Sequence, residues 1–130
     1  MTRREAREQA FIVLFEKIFD NEATLSEIVE TAKEAELIKI NAFAESILNM
    51  VEENSEEIDK IIEEFSQDWT ILRLPKVSLA ILRLAVAEIR YIDDVPNGVA
   101  VNEAVELAKK YGTNEDASFI NGILGAITKA

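Results

Sequence analysis

The sequence predicts an all-α fold of about seven helices, because its first half lacks glycine and proline and its apolar residues recur at helical spacing. No glycine or proline precedes Pro75, and all four glycines lie between Gly98 and Gly125. β-Hairpins usually need such residues at their turns, so their absence favours helices joined by short connections. With 130 residues, 48% of them hydrophobic, the chain can form one domain or two tightly packed subdomains that share a core.

The first half contains four predicted amphipathic helices, each introduced by a Ser, Thr or Asn residue. Thr2 with Glu5, and Thr24 with Glu27, have the spacing of a capping box, in which each side chain bonds the other residue's backbone. Apolar residues then recur three or four positions apart along each segment. The four helices are predicted at about 3–19, 25–36, 42–53 and 55–66.

The second half contains three more predicted helices. The fifth, at about 75–92, is apolar on nearly all sides, so we expect it to be the central, enclosed helix. The sixth, at about 98–111, ends at Gly112, a residue type that commonly follows a helix C-terminus. The seventh starts at Asn114 or Glu115 and carries an apolar stripe. We expect the second half to pack around the fifth helix.

Histidine and cysteine are both absent from the chain, which removes most residue types that perform covalent or metal-dependent catalysis. A Ser-His-Asp triad, a cysteine nucleophile and a thiolate or imidazole metal site are all excluded. No glycine-rich phosphate loop is present, so no nucleotide cofactor is predicted. We therefore expect a protein that is not an enzyme and that has no catalytic residues, no cofactor and no metal.

No segment of the sequence resembles a secretion signal or a membrane-spanning helix. A secretion signal combines a basic start, an apolar run and a small-residue cleavage site, and this combination is not found. No run approaches the roughly 20 apolar residues that cross a bilayer. We expect a cytoplasmic protein that makes no contact with a membrane.

The charge is strongly negative overall but is unevenly distributed. The net charge of −11 is unfavourable for a protein that binds nucleic acid. Residues 20–64, however, hold 14 acidic and 3 basic side chains, and the rest of the chain holds 11 of each. The first helix and the second half are therefore free to carry basic surface.

Three arginines at the start of the first helix form the clearest basic cluster. Arg3, Arg4 and Arg7 project within an arc of about 100° on a helix, whereas Glu5 and Glu8 project onto another sector. We therefore expect one patch, on the surface, that these acids do not neutralise. Its functional interpretation is recognition of phosphates, which arginine binds with two parallel hydrogen bonds. The alternative is a solvated, charged helix end.

Three phenylalanines are candidates for binding as well as for packing, and a tryptophan is a candidate for packing. Phe119 lies in the first turns of the seventh helix, where its ring either joins the core or stays partly exposed and stacks on a base. Phe11 and Phe15 on the first helix are core or partner contacts. Trp69 lies in the connection between the two halves, where we expect it to plug the space between them.

Several sequence motifs resemble the NusB family of bacterial transcription antitermination factors. The resemblance is specific over residues 3–15 and 75–127, and in the middle it rests on length and helical pattern alone. It implies an all-helical fold of two packed subdomains, at about 1–66 and 70–130, within a single domain. The motifs are RREAREQA at 3–10, VSLAILRLA at 77–85, DVPNGVAVNEAVELAKKYG at 94–112 and FINGIL at 119–124.

The resemblance also implies a function without catalysis. A NusB-like protein is expected to bind the single-stranded boxA segment of nascent RNA beside NusE, a ribosomal protein of the small subunit. It would then help to load the antitermination complex on RNA polymerase, notably in ribosomal RNA operons. The residues that the resemblance assigns are Arg3, Arg4, Arg7, Ser118 and Phe119 for RNA and Phe15 for the partner.

Three residues depart from the family pattern in ways that weaken the attraction to RNA. Glu5 lies where a basic residue is common, Ser118 lies where a lysine is found, and Glu115 replaces an aspartate. We therefore expect weak RNA binding by the chain alone, with the basic partner supplying part of the affinity.

Two other functions compete with this one. A NusB-like domain also precedes RNA cytosine-5 methyltransferases, but this sequence has neither the cofactor-binding domain nor the catalytic cysteine. A helical adaptor with the same fold that binds only protein partners would be compatible with the net charge of −11. The sequence leaves open whether the chain is a monomer or a homodimer, and whether a dimer would mask the arginine patch.

Overall fold

The computed structural model describes residues 1–67 and 69–130, and within them it contains seven α-helices, one short 3-10 helix and no strand. The predicted all-α class is therefore confirmed. The 3-10 helix, Ile71–Arg73, lies between the fourth and fifth α-helices. The helices are α1 (Arg3–Phe19), α2 (Leu25–Glu34), α3 (Ala42–Glu53), α4 (Ser55–Phe65), α5 (Lys76–Tyr91), α6 (Asn97–Tyr111) and α7 (Asn114–Lys129).

Local capping interactions fix where the helices start. Thr2 Oγ1 accepts a hydrogen bond from the Glu5 backbone N–H at 3.1 Å, and the Glu5 carboxylate accepts one from the Thr2 N–H at 3.2 Å. This is the predicted capping box of α1. A second complete box, formed by Thr113 and Asp116, starts α7, and the sequence analysis did not identify it. Short-range side-chain chemistry thus sets both helix starts.

One helix end differs from the prediction because a residue other than glycine adopts a left-handed conformation. The predicted second helix extends to residue 36, whereas α2 ends at Glu34. Glu36 has a φ of 58°, and the Leu37 N–H donates to the Ala32 carbonyl at 2.9 Å. This is a Schellman-type C-terminus, which glycine usually forms. Because no glycine directly follows α2 in the sequence, no local signal predicted where this helix ends.

Gly112 ends α6 as predicted, but for a steric reason. Its φ of −121° is accessible to any residue. A Cβ atom at this position would lie 2.6 Å from a carboxylate oxygen of Asp116 and 3.1 Å from the Ala108 carbonyl oxygen. The Asp116 carboxylate is held there by the capping box of α7. Gly112 therefore lets α6 and α7 meet closely.

Helix α5 is the hub of the molecule, as its apolar composition predicts. It packs against α1, α3, α4, α6 and α7, while α6 and α7 form the most extensive helix pair. Every residue from Leu84 to Glu88 is buried. The buried side chains of the seven helices form one continuous apolar cluster. The division into subdomains at about 1–66 and 70–130 stays a prediction.

Candidate nucleic-acid interface

The two outermost arginines of α1 lie on the surface, and each is paired with a carboxylate from the second half of the chain. The Arg3 guanidinium lies 2.6 Å from Asp94, and the Arg4 guanidinium binds Glu103 through Nε and Nη2 at 3.0–3.2 Å. Their side chains stay 48% and 67% exposed. Arg3 lowers the pKa of Asp94 by its hydrogen bond, and Glu103 raises the pKa of Arg4 in the same way.

Arg7 is not part of this surface, so the expectation of three exposed arginines is wrong. Its side chain is only 4% exposed, and its Nε donates to both carboxylate oxygens of Glu88 at 2.9 and 3.0 Å. Glu88 is fully buried, and burial raises its pKa while Arg7 opposes the rise. Glu103 lies 3.6 Å from Arg7 and so bridges it to Arg4. Arg7 is a buried support beneath the exposed pair.

An aromatic ring from α3 forms the floor of the arginine cluster. The guanidinium carbon of Arg3 lies 4.3 Å from the centroid of Phe43, and that of Arg7 lies 5.1 Å from it. Such contacts are favourable because the face of an aromatic ring carries a negative electrostatic potential, which attracts a cation. Phe43 therefore helps to orient both arginines. No local feature of the sequence indicates this role, because the contact joins helices far apart in the chain.

A second polar cluster joins the middle of α1 to the end of α6. Glu8 accepts hydrogen bonds from Lys110 Nζ, at 2.7 Å, and from the Tyr111 hydroxyl, and these bonds lower the pKa of Glu8. Burial, followed by the contact with Glu8, raises the pKa of Tyr111 to about 12. The Tyr111 ring also packs against Phe11, with centroids 4.8 Å apart. Lys110 stays 60% exposed and adds a cation that the sequence analysis did not single out.

The start of α7 presents Ser118 and Phe119 beside the connection that follows α4. The capping box fixes this helix start, and Asp116 also accepts a hydrogen bond from Ser78 of α5 at 3.3 Å. Ser118 is exposed, and Phe119 is half-buried against the core. Trp69 lies edge-on to Phe119, with centroids 6.5 Å apart. Because Trp69 is 48% exposed, the expectation that it plugs the space between the halves is wrong.

Phe15, the residue assigned to a partner, belongs to an aromatic row along α1. Its ring stacks on Phe11 with centroids 5.8 Å apart and meets Phe19 edge-on with centroids 5.1 Å apart. Phe15 is half-buried, whereas Phe19 is largely exposed. The row therefore leads from the core, beside Tyr111, to the surface at the end of α1.

The two acidic departures from the family pattern, Glu5 and Glu115, have structural roles at helix starts. Glu5 completes the capping box of α1, and its bond from the Thr2 N–H lowers its pKa. Its carboxylate is therefore occupied by its own helix start. Glu115 is in the first turn of α7, where its negative charge interacts favourably with the positive end of the helix dipole. Both acids stabilise helix starts; the capping-box spacing predicted this for Glu5, whereas the sequence analysis did not predict it for Glu115.

The described part of the chain contains no candidate metal cluster and no candidate membrane-spanning helix. No cluster of three or more potential metal ligands occurs among residues 1–67 and 69–130. In the same residues, none of the helices combines the length and the hydropathy needed to cross a bilayer.

Comparison with known proteins agrees with this arrangement. The transcription antitermination protein NusB of Clostridium novyi (strain NT) is 44% identical over the full length of both chains. The structure of T. maritima NusB is 32% identical, with a TM-score of 0.87, and covers 99% of this chain and 92% of its own. A structure of the antitermination factors NusB and NusE in complex with dsRNA is 33% identical, with a TM-score of 0.85 over 98% and 96% of the two chains. The family model matches residues 4–129, and the chain belongs to the NusB family.

Proposed function

We propose that this chain is a transcription antitermination factor that binds boxA-type RNA together with NusE. In this role it acts by binding, without catalysis or a cofactor, as a cytoplasmic component of the antitermination complex on RNA polymerase, notably in ribosomal RNA operons. The family membership supports antitermination. The similar structure in which NusB and NusE are in complex with dsRNA favours an RNA-binding protein over an adaptor that binds only proteins.

The observation that carries the proposal is the exposed arginine pair at the start of α1. Arg3 and Arg4 are the α1 arginines that RNA phosphates can reach. From them, α6 continues for about 12 Å between Glu103 and Tyr111, at about 1.5 Å per residue. Lys110 lies near its end, and α7 then presents Ser118 and Phe119. We place the RNA along this surface.

Arg7 is a positioning residue in this proposal. An arginine paired with a buried carboxylate would leave that charge unpaired if it turned outward, which is strongly unfavourable. By holding Glu88 and contacting Glu103, it fixes α1 against α5 and α6. The orientation of Arg4 depends on this support, because Glu103 accepts hydrogen bonds from Arg4 and also forms an ion pair with Arg7 at 3.6 Å.

The carboxylates on the exposed arginines support the expectation that the chain alone binds RNA weakly. A phosphate must compete with Asp94 for Arg3 and with Glu103 for Arg4. Affinity for single-stranded RNA then depends on a few phosphate contacts and falls steeply with salt. We propose that NusE supplies the remaining contacts and docks beside the RNA, with Phe15 in its contact surface.

The experiment that tests the proposal measures both legs of a binding cycle by calorimetry at one salt concentration. Linkage requires NusE to raise the affinity for boxA RNA by the same factor by which RNA raises the affinity for NusE. We expect a coupling of about 1–3 kcal/mol, or roughly 5- to 150-fold. A scrambled RNA of the same length is the control. Binding of NusE without RNA binding would instead identify the protein-only adaptor.

A further inference from the structure

A pocket of about 440 Å³ opens beside Phe119, between the end of α4 and the first three turns of α7. Its aromatic walls are Phe65, Trp69 and Phe119, and its polar rim includes Gln67 and Ser118. The planes of the Trp69 and Phe119 rings meet at 65°. A flat ring that enters the pocket can therefore stack on one aromatic face and touch the edge of the other.

The pocket differs in charge from the other surface pockets of this acidic chain. None of its described lining residues is charged. Four other pockets each include at least two carboxylates, such as Glu52 and Asp59 in one and Glu103 and Glu106 in another. The described aromatic walls carry no charge that would repel a ligand whose backbone is negatively charged. Aromatic faces beside hydrogen-bonding groups are the features with which proteins bind unpaired nucleobases.

The polar rim offers hydrogen-bonding groups that the described fold does not use. The Ser66 hydroxyl is occupied, because it donates to the Ile62 carbonyl. By contrast, the Gln67 amide and the Ser118 hydroxyl are exposed and enter none of the described hydrogen bonds. An amide and a hydroxyl can each donate and accept, as recognition of a base edge requires.

Gly122 keeps the pocket open, although the fold does not require a glycine there. It lies inside α7, where glycine is the least favourable residue after proline. Its φ is not positive, and an added Cβ atom would meet no atom within 4 Å. A side chain at this position would instead project into the pocket that Gly122 lines. Gly125 is equally open but lines none of the pockets described, so it provides a matched control.

We propose that this pocket receives one unpaired base of the bound RNA, stacked against Trp69 and Phe119 with its edge at Gln67 and Ser118. The proposal rests on the proposed function, because Ser118 and Phe119 belong to both surfaces. It adds Trp69 and Gly122 as residues that determine which base is accepted. The arginine pair then supplies affinity for the RNA backbone, and the pocket supplies selectivity for one nucleotide.

The test fills the pocket and measures RNA binding by the complex of the full chain with NusE. Gly122→Leu should weaken boxA RNA binding roughly 5- to 150-fold, the range for losing one base stacked on an aromatic ring. Gly125→Leu, the same change one turn along α7, should leave the affinity unchanged. Both variants should melt at or above the temperature of the parent chain, because leucine favours a helix more than glycine does.

Abasic RNAs identify the base. Removing the base at one position should weaken binding to the parent chain by the same factor, and the same RNA should bind Gly122→Leu no more weakly than intact RNA does. Trp69→Ala, an exposed substitution, should reproduce both results. Trp69 is the only tryptophan of the chain, so intact RNA should also quench its emission more than the abasic RNA does, with Trp69→Phe as the blank.

The possible failures are distinguishable. If the parent chain with NusE does not bind boxA RNA, the proposed function fails and the base pocket fails with it. If the parent binds but Gly122→Leu binds equally well, the base pocket is overturned and the proposed function stands. If Gly122→Leu weakens NusE binding in the absence of RNA, the pocket is a protein contact and the base assignment is also overturned.

Discussion

The arginine cluster at the start of α1 and the aromatic pocket on α7, the two regions proposed to bind RNA, differ in whether their binding groups already have partners. In the cluster, every guanidinium already has a carboxylate partner, such as Asp94 or Glu103. In the pocket, Trp69 is half exposed and no charged side chain lines the described walls. A ligand must displace existing partners at the cluster, whereas it only covers free surface at the pocket.

The number of exposed arginines is therefore not by itself a measure of the electrostatic attraction to phosphate. The arginines are held rigidly by their partners, which favours bidentate contacts, but the same partners reduce the gain from each phosphate. The aromatic walls of the pocket gain from stacking at any ionic strength, because stacking is not screened by salt. Substitutions in the two regions should therefore differ in their effects on stability, RNA affinity and salt dependence.

The largest effect should come from breaking the buried pair. Arg7→Ala leaves Glu88 buried and unpaired, so we expect a loss of about 3–5 kcal/mol in the free energy of unfolding, measured with urea. The double variant Arg7→Met with Glu88→Leu should recover most of this loss, because two apolar side chains replace two charges. A single variant as stable as the parent chain would show that the pair is not buried in solution.

The next largest effect tests whether the Phe119 ring contributes more to RNA binding than to the stability of the core. Because Phe119 is only half-buried, Phe119→Ala should destabilise the fold by less than the roughly 3–5 kcal/mol expected for a buried phenylalanine. RNA binding by the complex with NusE should weaken by about 1–3 kcal/mol. Melting and calorimetry on the same sample separate the two quantities. A large loss of stability with unchanged RNA affinity would assign Phe119 to the core.

Removing the exposed arginines should change the salt dependence and leave the fold intact. For Arg3→Gln with Arg4→Gln, the slope of log affinity against log salt should fall by up to about 1.4, or about 0.7 for each lost single-strand phosphate contact. The melting temperature should change little, since both guanidiniums are exposed. Lys33→Gln, an exposed lysine on α2 and outside the proposed RNA surface, is the control. An unchanged slope would place the phosphates elsewhere.

Releasing the arginines from their partners should have a smaller and opposite effect. In Asp94→Asn, Arg3 loses its competing carboxylate, so RNA affinity at low salt should rise by less than about fivefold. Glu34→Gln, which removes an exposed carboxylate at the end of α2, serves as the control for net charge. Equal gains in the two variants would indicate a general charge effect instead of competition at Arg3.

The smallest effect concerns pH and the cluster of Glu8 and Tyr111. The pKa of Glu8 is lowered in the folded state, so its contribution to stability is present above its ordinary pKa and is lost as pH falls through the folded value. The pKa of Tyr111 is raised to about 12, so its contribution is present below pH 10 and is lost as pH rises through about 12. Glu8→Gln should therefore be less stable than the parent at pH 7, and the difference should shrink in acid. Urea unfolding at both pH values measures it.

The helices of this protein can be predicted from the sequence alone, because the features that start, maintain and end them act between residues close together in the chain. The capping box of Thr2 and Glu5, the periodic apolar stripes and the steric stop at Gly112 act over a few residues, and six of the seven predicted helices match within about two residues at each end. The seventh was predicted by its start alone, and that start is also correct. The exceptions in mechanism are Glu36 and Gln67, just beyond the ends of α2 and α4, which take a left-handed conformation that their residue types do not signal.

The tertiary structure alone decided which groups of the candidate site face a ligand. Arg4 and Arg7 are one helical turn apart and chemically identical, yet one is exposed and the other lies in the core. What separates them is Glu88, which is 81 residues away in sequence and becomes a neighbour only when α5 packs on α1. In the same way, Trp69 and Phe119 are 50 positions apart, and no periodicity within one helix relates them. A helix depends on neighbours along the chain, whereas a binding surface depends on which helices meet, and that is fixed by packing over the whole core.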